Sequence, residues 1–217
     1  MLLDRRKVKF WQKIVFGFMA FLMAAFLVVG YSGVLNGCSV FGEEESATEQ
    51  LQATITQLQN AVAADPQDSA SWIELGDNYV FMANQQLEEA AQQTYYEKAV
   101  AAYKEADAIL AEEKGAAARQ KRLALLDDLI STYLYLSDYE AATAAYGEVT
   151  ALKPKDAQSY FDMATVAISA GDTTTALLAF GKFLELDPTS PEAAQVEQWI
   201  EDNAPKSTPK PSPSPTE

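Results

Sequence analysis

The chain of 217 residues has no histidine and a single cysteine, Cys38. The first absence removes histidine general acid–base catalysis, histidine-containing triads and histidine metal sites in one step. The second removes an internal disulfide and a thiolate metal cluster. Positive charge is also scarce. There are 16 Lys+Arg against 31 Asp+Glu, a formal net charge of −15. Arg5, Arg6, Lys7, Lys9 and Lys13 open the chain against Asp4 alone, so the remainder is more acidic than the total. Such a surface repels phosphate backbones and argues against nucleic acid as a ligand. Acids are plentiful, but pairs such as Asp127-Asp128 and Glu88-Glu89 are adjacent and point to different sides of a helix. No nucleophile–base pair, carboxylate cleft, metal set or cofactor motif emerges, so no enzyme activity and no cofactor are expected.

The longest apolar run is Ile14 to Leu35, which contains no charged residue. At ~1.5 Å per residue it spans ~33 Å as a helix, enough to cross a hydrocarbon core. Basic residues precede it, Glu43, Glu44 and Glu45 follow it, and Trp11 and Tyr31 sit where interfacial aromatics would. This asymmetry predicts a cytoplasmic N-terminus and an extracytoplasmic remainder. Two fates are open for residues 14–36: an uncleaved single-pass anchor, or a signal segment removed before Cys38. Leu35-Asn36-Gly37-Cys38 resembles the lipobox of bacterial lipoproteins, with Cys38 in the place of the lipidated cysteine. Asn36 departs from the usual small or apolar residue there. Residues 37–47 read as a linker.

Beyond the linker the chain repeats. Asp138–Pro154 recurs as Asp172–Pro188, pairing Ala142 with Ala176, Tyr146 with Phe180, Val149 with Phe183, Leu152 with Leu186 and Pro154 with Pro188. Every pair is separated by the same interval, about 34 residues, a period that marks a helical repeat array. Before it, Leu51, Ile55, Leu58 and Val62 form an amphipathic stripe closed by Asp65-Pro66. That helix is either half of a degenerate repeat or an N-terminal cap. Trp72, Leu75, Gly76 and Tyr79 follow the pattern W-x2-L-G-x2-Y.

With the A-x3-F/Y and terminal proline pattern, residues 48–203 resemble the tetratricopeptide repeat (TPR) family, in a membrane-anchored bacterial form. The resemblance implies an all-α fold: an α-solenoid of about three TPR helix pairs. Two departures stand out. The interval from Tyr79 to Ala99 is more than double the one the family uses, and Asn84–Thr94 holds no Gly or Pro, which predicts helical extension of both arms. The interval from Ala99 to Ala142 also exceeds the repeat period; the excess lies near Glu112–Arg122, where Gly115 is expected to end a helix. Arg119, Lys121 and Arg122 there read as a solvated helix start or a contact for an acidic partner. Ser190, Pro191 and Glu192 predict the start of a capping helix carrying Ala193, Val196 and Ile200 inward. Residues 204–217, rich in Pro, Ser and Thr, read as a disordered tail.

In the TPR family the first helix of each unit lines a concave protein-binding face. Carried onto this sequence, the positions are Ile73, Asp77 and Phe81; Asp127, Ser131 and Tyr135; and Phe161, Thr165 and Ser169. The lysine–asparagine clamp of the best-known peptide-binding members is absent, since Asp77, Asp127, Phe161 and Thr165 hold its places. The groove therefore suits an apolar or mildly basic segment. The resulting expectation is a non-catalytic, membrane-tethered adaptor for an exported or membrane protein, in envelope assembly or secretion. The alternatives are a lipidated TPR protein, or a fixed subunit of a larger membrane complex packed through Gly17, Ala20 and Ala24.

Overall fold

The computed structural model describes residues 47–205. The expected membrane segment Ile14–Leu35, the Leu35–Cys38 motif and the tail from residue 206 onward lie outside them. Among the described residues no helix is long and apolar enough to cross a membrane.

Among the described residues there are eight helices and no strand: α1 (Ala47–Ala64), α2 (Ser69–Gln85), α3 (Glu89–Glu112), α4 (Ala116–Tyr135), α5 (Tyr139–Leu152), α6 (Ala157–Ser169), α7 (Thr173–Leu186) and α8 (Ala193–Asn203). From α2 to α8 each helix packs on the next in chain order. This nearest-neighbour pattern is that of an α-solenoid. The pairs α2/α3, α4/α5 and α6/α7 are the three repeat units.

Short connections are closed by side chains chosen for the task. Asp68, Asp138 and Asp172 cap α2, α5 and α7, accepting the amides of Ala70 at 3.1 Å, Ala141 at 3.0 Å and Thr175 at 3.0 Å. The turns before α5 and α7 are copies of each other, one repeat period apart. Ser137 (φ 56°) and Gly171 (φ 75°) both adopt the left-handed conformation. Asp138 N donates to Tyr133 O and Asp172 N to Ala167 O, each at 2.9 Å. These bonds satisfy carbonyls at the helix end.

The core follows the stripes read from the sequence. Leu51, Ile55, Leu58 and Val62 of α1 are all buried, in a cluster that includes Leu75, Tyr79, Tyr103, Leu126 and Leu129. A second cluster joins Ala164, Phe180 and Phe183 to Val196, with Trp199 of α8 edge-on to Phe180 at 5.3 Å. Gly76 faces the ring of Tyr103 so closely that an added Cβ would lie 2.3 Å from Cε1.

The long spacing between Tyr79 and Ala99 is helical on both arms, as expected: α2 runs on to Gln85, α3 starts at Glu89, and only Gln86–Glu88 connect them. Two boundaries differ from expectation. Gly115 does not end α3, which stops at Glu112; it is the residue before α4. Ser190 is not the N-cap of α8. Ala193 N donates to Ser190 O at 3.0 Å, a tight turn, and the α pattern begins only with Val196 N to Glu192 O.

Candidate protein-binding face

The first helices α2, α4 and α6 are built on one plan. Positions three and four apart share a helix face. Ile73, Asp77 and Phe81 fall on one stripe of α2; Asp127, Ser131 and Tyr135 on the equivalent stripe of α4; Phe161, Thr165 and Ser169 on that of α6. Asp77, Phe81, Asp127, Ser131, Tyr135, Thr165 and Ser169 are exposed. Ile73 is half-buried against the core, and Phe161 is half-buried with its ring 5.7 Å from Phe180 and 5.2 Å from Phe183. Those two side chains help floor the face as well as edge it.

The stripe extends to residues the sequence reading passed over. Leu134 and Ile168 are exposed at 37% and 40%, beside Tyr135 at 64%; Phe81, one repeat earlier, is exposed at 53%. All four lie in the last turns of their helices. Isolated exposed apolar side chains are ordinary, but a row recurring at one level of three helices is not. Leu87 and Leu178 are exposed elsewhere. Leu134 and Ile168 are one repeat period apart, as are Asp128 and Asp162, so the repeat itself held the signal that identifies them.

In the middle of the three helices the face is acidic. The Tyr103 hydroxyl, from the second helix of its unit, donates to Asp77 Oδ1 at 2.7 Å. Burial and then this bond push the phenol well above its ordinary range. Desolvation, then the charges of Asp77 and Asp127, push the Asp128 carboxyl up. Asp162 is also pushed up by desolvation, against the donation of Gln158 Nε2 at 2.8 Å. Tyr146, at the repeat equivalent of Tyr103 in the family pattern, is raised by burial and by Asp162 and Asp127. The carboxylates of α2 and α4 thus lie within each other's fields.

The hydroxyls of the stripe are turned to the backbone. Ser131 Oγ donates to Asp127 O at 2.9 Å, Thr165 Oγ1 to Phe161 O at 3.0 Å and Ser169 Oγ to Thr165 O at 3.3 Å. A hydroxyl has one proton to give, so what these residues offer outward is lone pairs. Neither α2 nor α6 contains a lysine or arginine, and those of α4, Arg119, Lys121 and Arg122, all precede residue 123. Arg122 is not available to a partner. It is held by Asp107 at 2.7 and 3.1 Å and by Glu148.

Tyr135 also has an internal neighbour. Its ring stacks on Tyr96 of α3 at 5.0 Å and 6°, and the Tyr96 hydroxyl donates to Asn84 Oδ1 at 2.7 Å. The aromatic end of the face is therefore propped by the lengthened first hairpin. Among the described residues no group of three His, Cys, Asp or Glu side chains could hold a metal ion.

No protein-family model and no curated protein matches the chain. Among solved structures it is similar to two crystal structures of MamA. One is 17% identical, covering 75% of this chain and 87% of that one, with a TM-score of 0.44. The other is 17% identical, covering 74% and 77%, with a TM-score of 0.46. It is also similar to TTC0263, a thermophilic TPR protein in Thermus thermophilus, at 18% identity over 73% of this chain and 75% of that one, TM-score 0.42. At these values the solenoid reading rests on this chain's own repeat and packing.

Proposed function

We propose that this chain is a non-catalytic scaffold that holds a protein partner on the face of α2, α4 and α6 while tethered to a membrane through its N-terminal segment, with the repeat domain on the extracytoplasmic side. The observation that carries the binding half is the recurrence of Phe81, Leu134, Tyr135 and Ile168 as exposed side chains at one level of three successive first helices. Solvent gives no reason to keep such a row, and a partner that covers it does. The tether is supported by the uncharged Ile14–Leu35 run and its basic leader. Tethering raises the effective concentration of the face near membrane partners, so modest contacts suffice.

Two measurements test the two halves. The intact mass of protein extracted from its native membrane, beside that of Cys38→Ala, separates the two anchors. Loss of residues 1–37 with added acyl chains, abolished by the substitution, means a lipidated form; a full-length mass in both means an uncleaved helix. Recovery of the protein in a membrane-free fraction would end the tether. For the face, a photo-crosslinking residue at Ser131 of the full chain in native membranes is expected to capture a protein that the same residue at exposed Ala108 on α3 does not. Equal labelling from both positions would remove this face as the binding site.

A further inference from the structure

The chemistry of the face is specific enough to describe what fits it. It has two parallel zones across three helices. Near the helix middles lie Asp77, Asp127 and Asp162, with no lysine or arginine of α2 or α6 to neutralise them. Toward the helix ends lie Phe81, Leu134, Tyr135 and Ile168. Ser131 and Thr165, at the level of Asp77, spend their protons on backbone carbonyls, so they add acceptors and no donors. An occupant must therefore bring donors and positive charge to one zone and apolar surface to the other, side by side.

Backbone geometry favours one kind of segment for that. A strand laid face-down on this surface turns alternate side chains away from it. In an α-helix successive residues are rotated by about 100°, so two adjoining stripes both reach one surface. We infer that the face takes an amphipathic helix from another protein, with lysine or arginine along one stripe and large apolar side chains along the adjoining one. This rests on the scaffold reading above and adds the partner's chemistry to it. Charge complementarity sets the orientation: the cationic stripe lies over the middles of α2, α4 and α6, the apolar stripe over their ends.

The test uses the full chain in neutral-lipid nanodiscs, with empty nanodiscs as the blank. The probes are three labelled peptides, each long enough for about five helical turns. One carries lysine and leucine on adjoining helical stripes, the second has glutamate for lysine, and the third strictly alternates lysine and leucine. The first is expected to bind, to weaken about tenfold or more between low and physiological salt, and to weaken about tenfold in Asp77→Asn/Asp127→Asn/Asp162→Asn. Tyr135→Ser is expected to weaken it at every salt concentration. The melting temperature of each variant, held near the parent value, shows that the face still folds. Asparagine at 77 keeps the acceptor that Tyr103 uses. Equal binding of the glutamate peptide, better binding of the alternating peptide, insensitivity to the triple variant, or no binding at all would overturn the inference. If Ser131 crosslinks a protein in native membranes while the peptide result is negative, only the partner's chemistry fails. If neither is positive, the scaffold reading fails as well.

Discussion

Tyr103 and Asp77 are joined across the first repeat: the phenol donates to Oδ1 at 2.7 Å. The ring end of this contact is buried and the carboxylate end is exposed. One residue thus fixes the packing of α2 on α3 and the position of an acid on the candidate face. Tyr103→Phe keeps the ring and deletes the donor. Because water reaches Asp77, the expected cost is only about 1 kcal/mol of unfolding free energy. Urea denaturation measures it. Binding of the cationic peptide should hold or tighten slightly, since Asp77 then has a free lone pair. A large loss of binding would mean that the tyrosine itself touches the partner.

The same ring makes Gly76 irreplaceable. An alanine Cβ would stand 2.3 Å from Cε1 and 2.5 Å from Cδ1 of a side chain that is 2% exposed and hydrogen-bonded at its far end. The ring has nowhere to retreat, so Gly76→Ala should cost on the order of 2–3 kcal/mol. Gly181, inside α7, has nothing within 4 Å of the same notional atom. There Gly181→Ala should gain up to ~1 kcal/mol from helix propensity alone. Paired melting curves of the two variants check both signs.

Much of this was legible in the sequence, because the helix stripes and the fixed repeat period are direct consequences of how a solenoid packs. Leu51, Ile55, Leu58 and Val62 read as a buried stripe and are one. The Gly76 contact was likewise written in the W-x2-L-G-x2-Y pattern. Side-chain roles were less legible. Arg122 sits in a run of cations, and only the meeting of α3, α4 and α5 shows that it faces Asp107 and Glu148. Phe161 and Tyr135 sit on equivalent stripes of α6 and α4, yet Phe161 has two phenylalanines beside it, while Tyr135 has a stacking partner only because the first hairpin is lengthened. The start of α8 was misplaced because Ser190-Pro191-Glu192 carries cap chemistry that a tight turn uses instead.

Arg122 is a strut between three helices, with side-chain exposure of 18% against 17% for Asp107. Arg122→Met should cost roughly 1–3 kcal/mol, most of it from leaving Asp107 half-buried without a partner. The double variant Arg122→Met/Asp107→Leu should recover most of that loss, because the stranded carboxylate goes with its partner. A double-mutant cycle in denaturant reads the coupling. Two independent, additive losses would show that the fork contributes nothing as a pair.

The paired turns make a prediction with opposite signs at equivalent positions. Ser137 holds φ 56° where its counterpart, one repeat on, is Gly171 at φ 75°. A side chain in the left-handed region costs roughly 1 kcal/mol, partly offset by the greater unfolded-state freedom of glycine. On that basis Ser137→Gly should gain ~0.5 kcal/mol, and Gly171→Ala should lose about 1 kcal/mol. Chemical denaturation of the two single variants reads both changes. No contact within 4 Å at Gly171 confuses the comparison.

Stability and partner binding should respond to acid in opposite directions. Asp128 and Asp162 are raised above 3.8 in the folded chain, chiefly by desolvation, with nearby carboxylates adding to it. A raised acid binds its proton more tightly folded than unfolded. Its penalty is present at neutral pH, is relieved as pH falls through the raised value, and is gone below 3.8. Asp68 and Asp172 are lowered, chiefly by hydrogen bonds from Ser71 and Thr175. Their stabilisation is present above 3.8 and is lost as pH falls through the lowered values. The melting temperature should therefore rise as neutral solution is acidified toward about pH 4, then fall at more acid pH, and Asp128→Asn/Asp162→Asn should flatten the rise. Over the same descent binding of the cationic peptide should weaken, because Asp162, one of the acids it needs, is being neutralised. A melting temperature that falls steadily from neutral pH would mean that the carboxylates of this face are stabilised by folding rather than crowded by it.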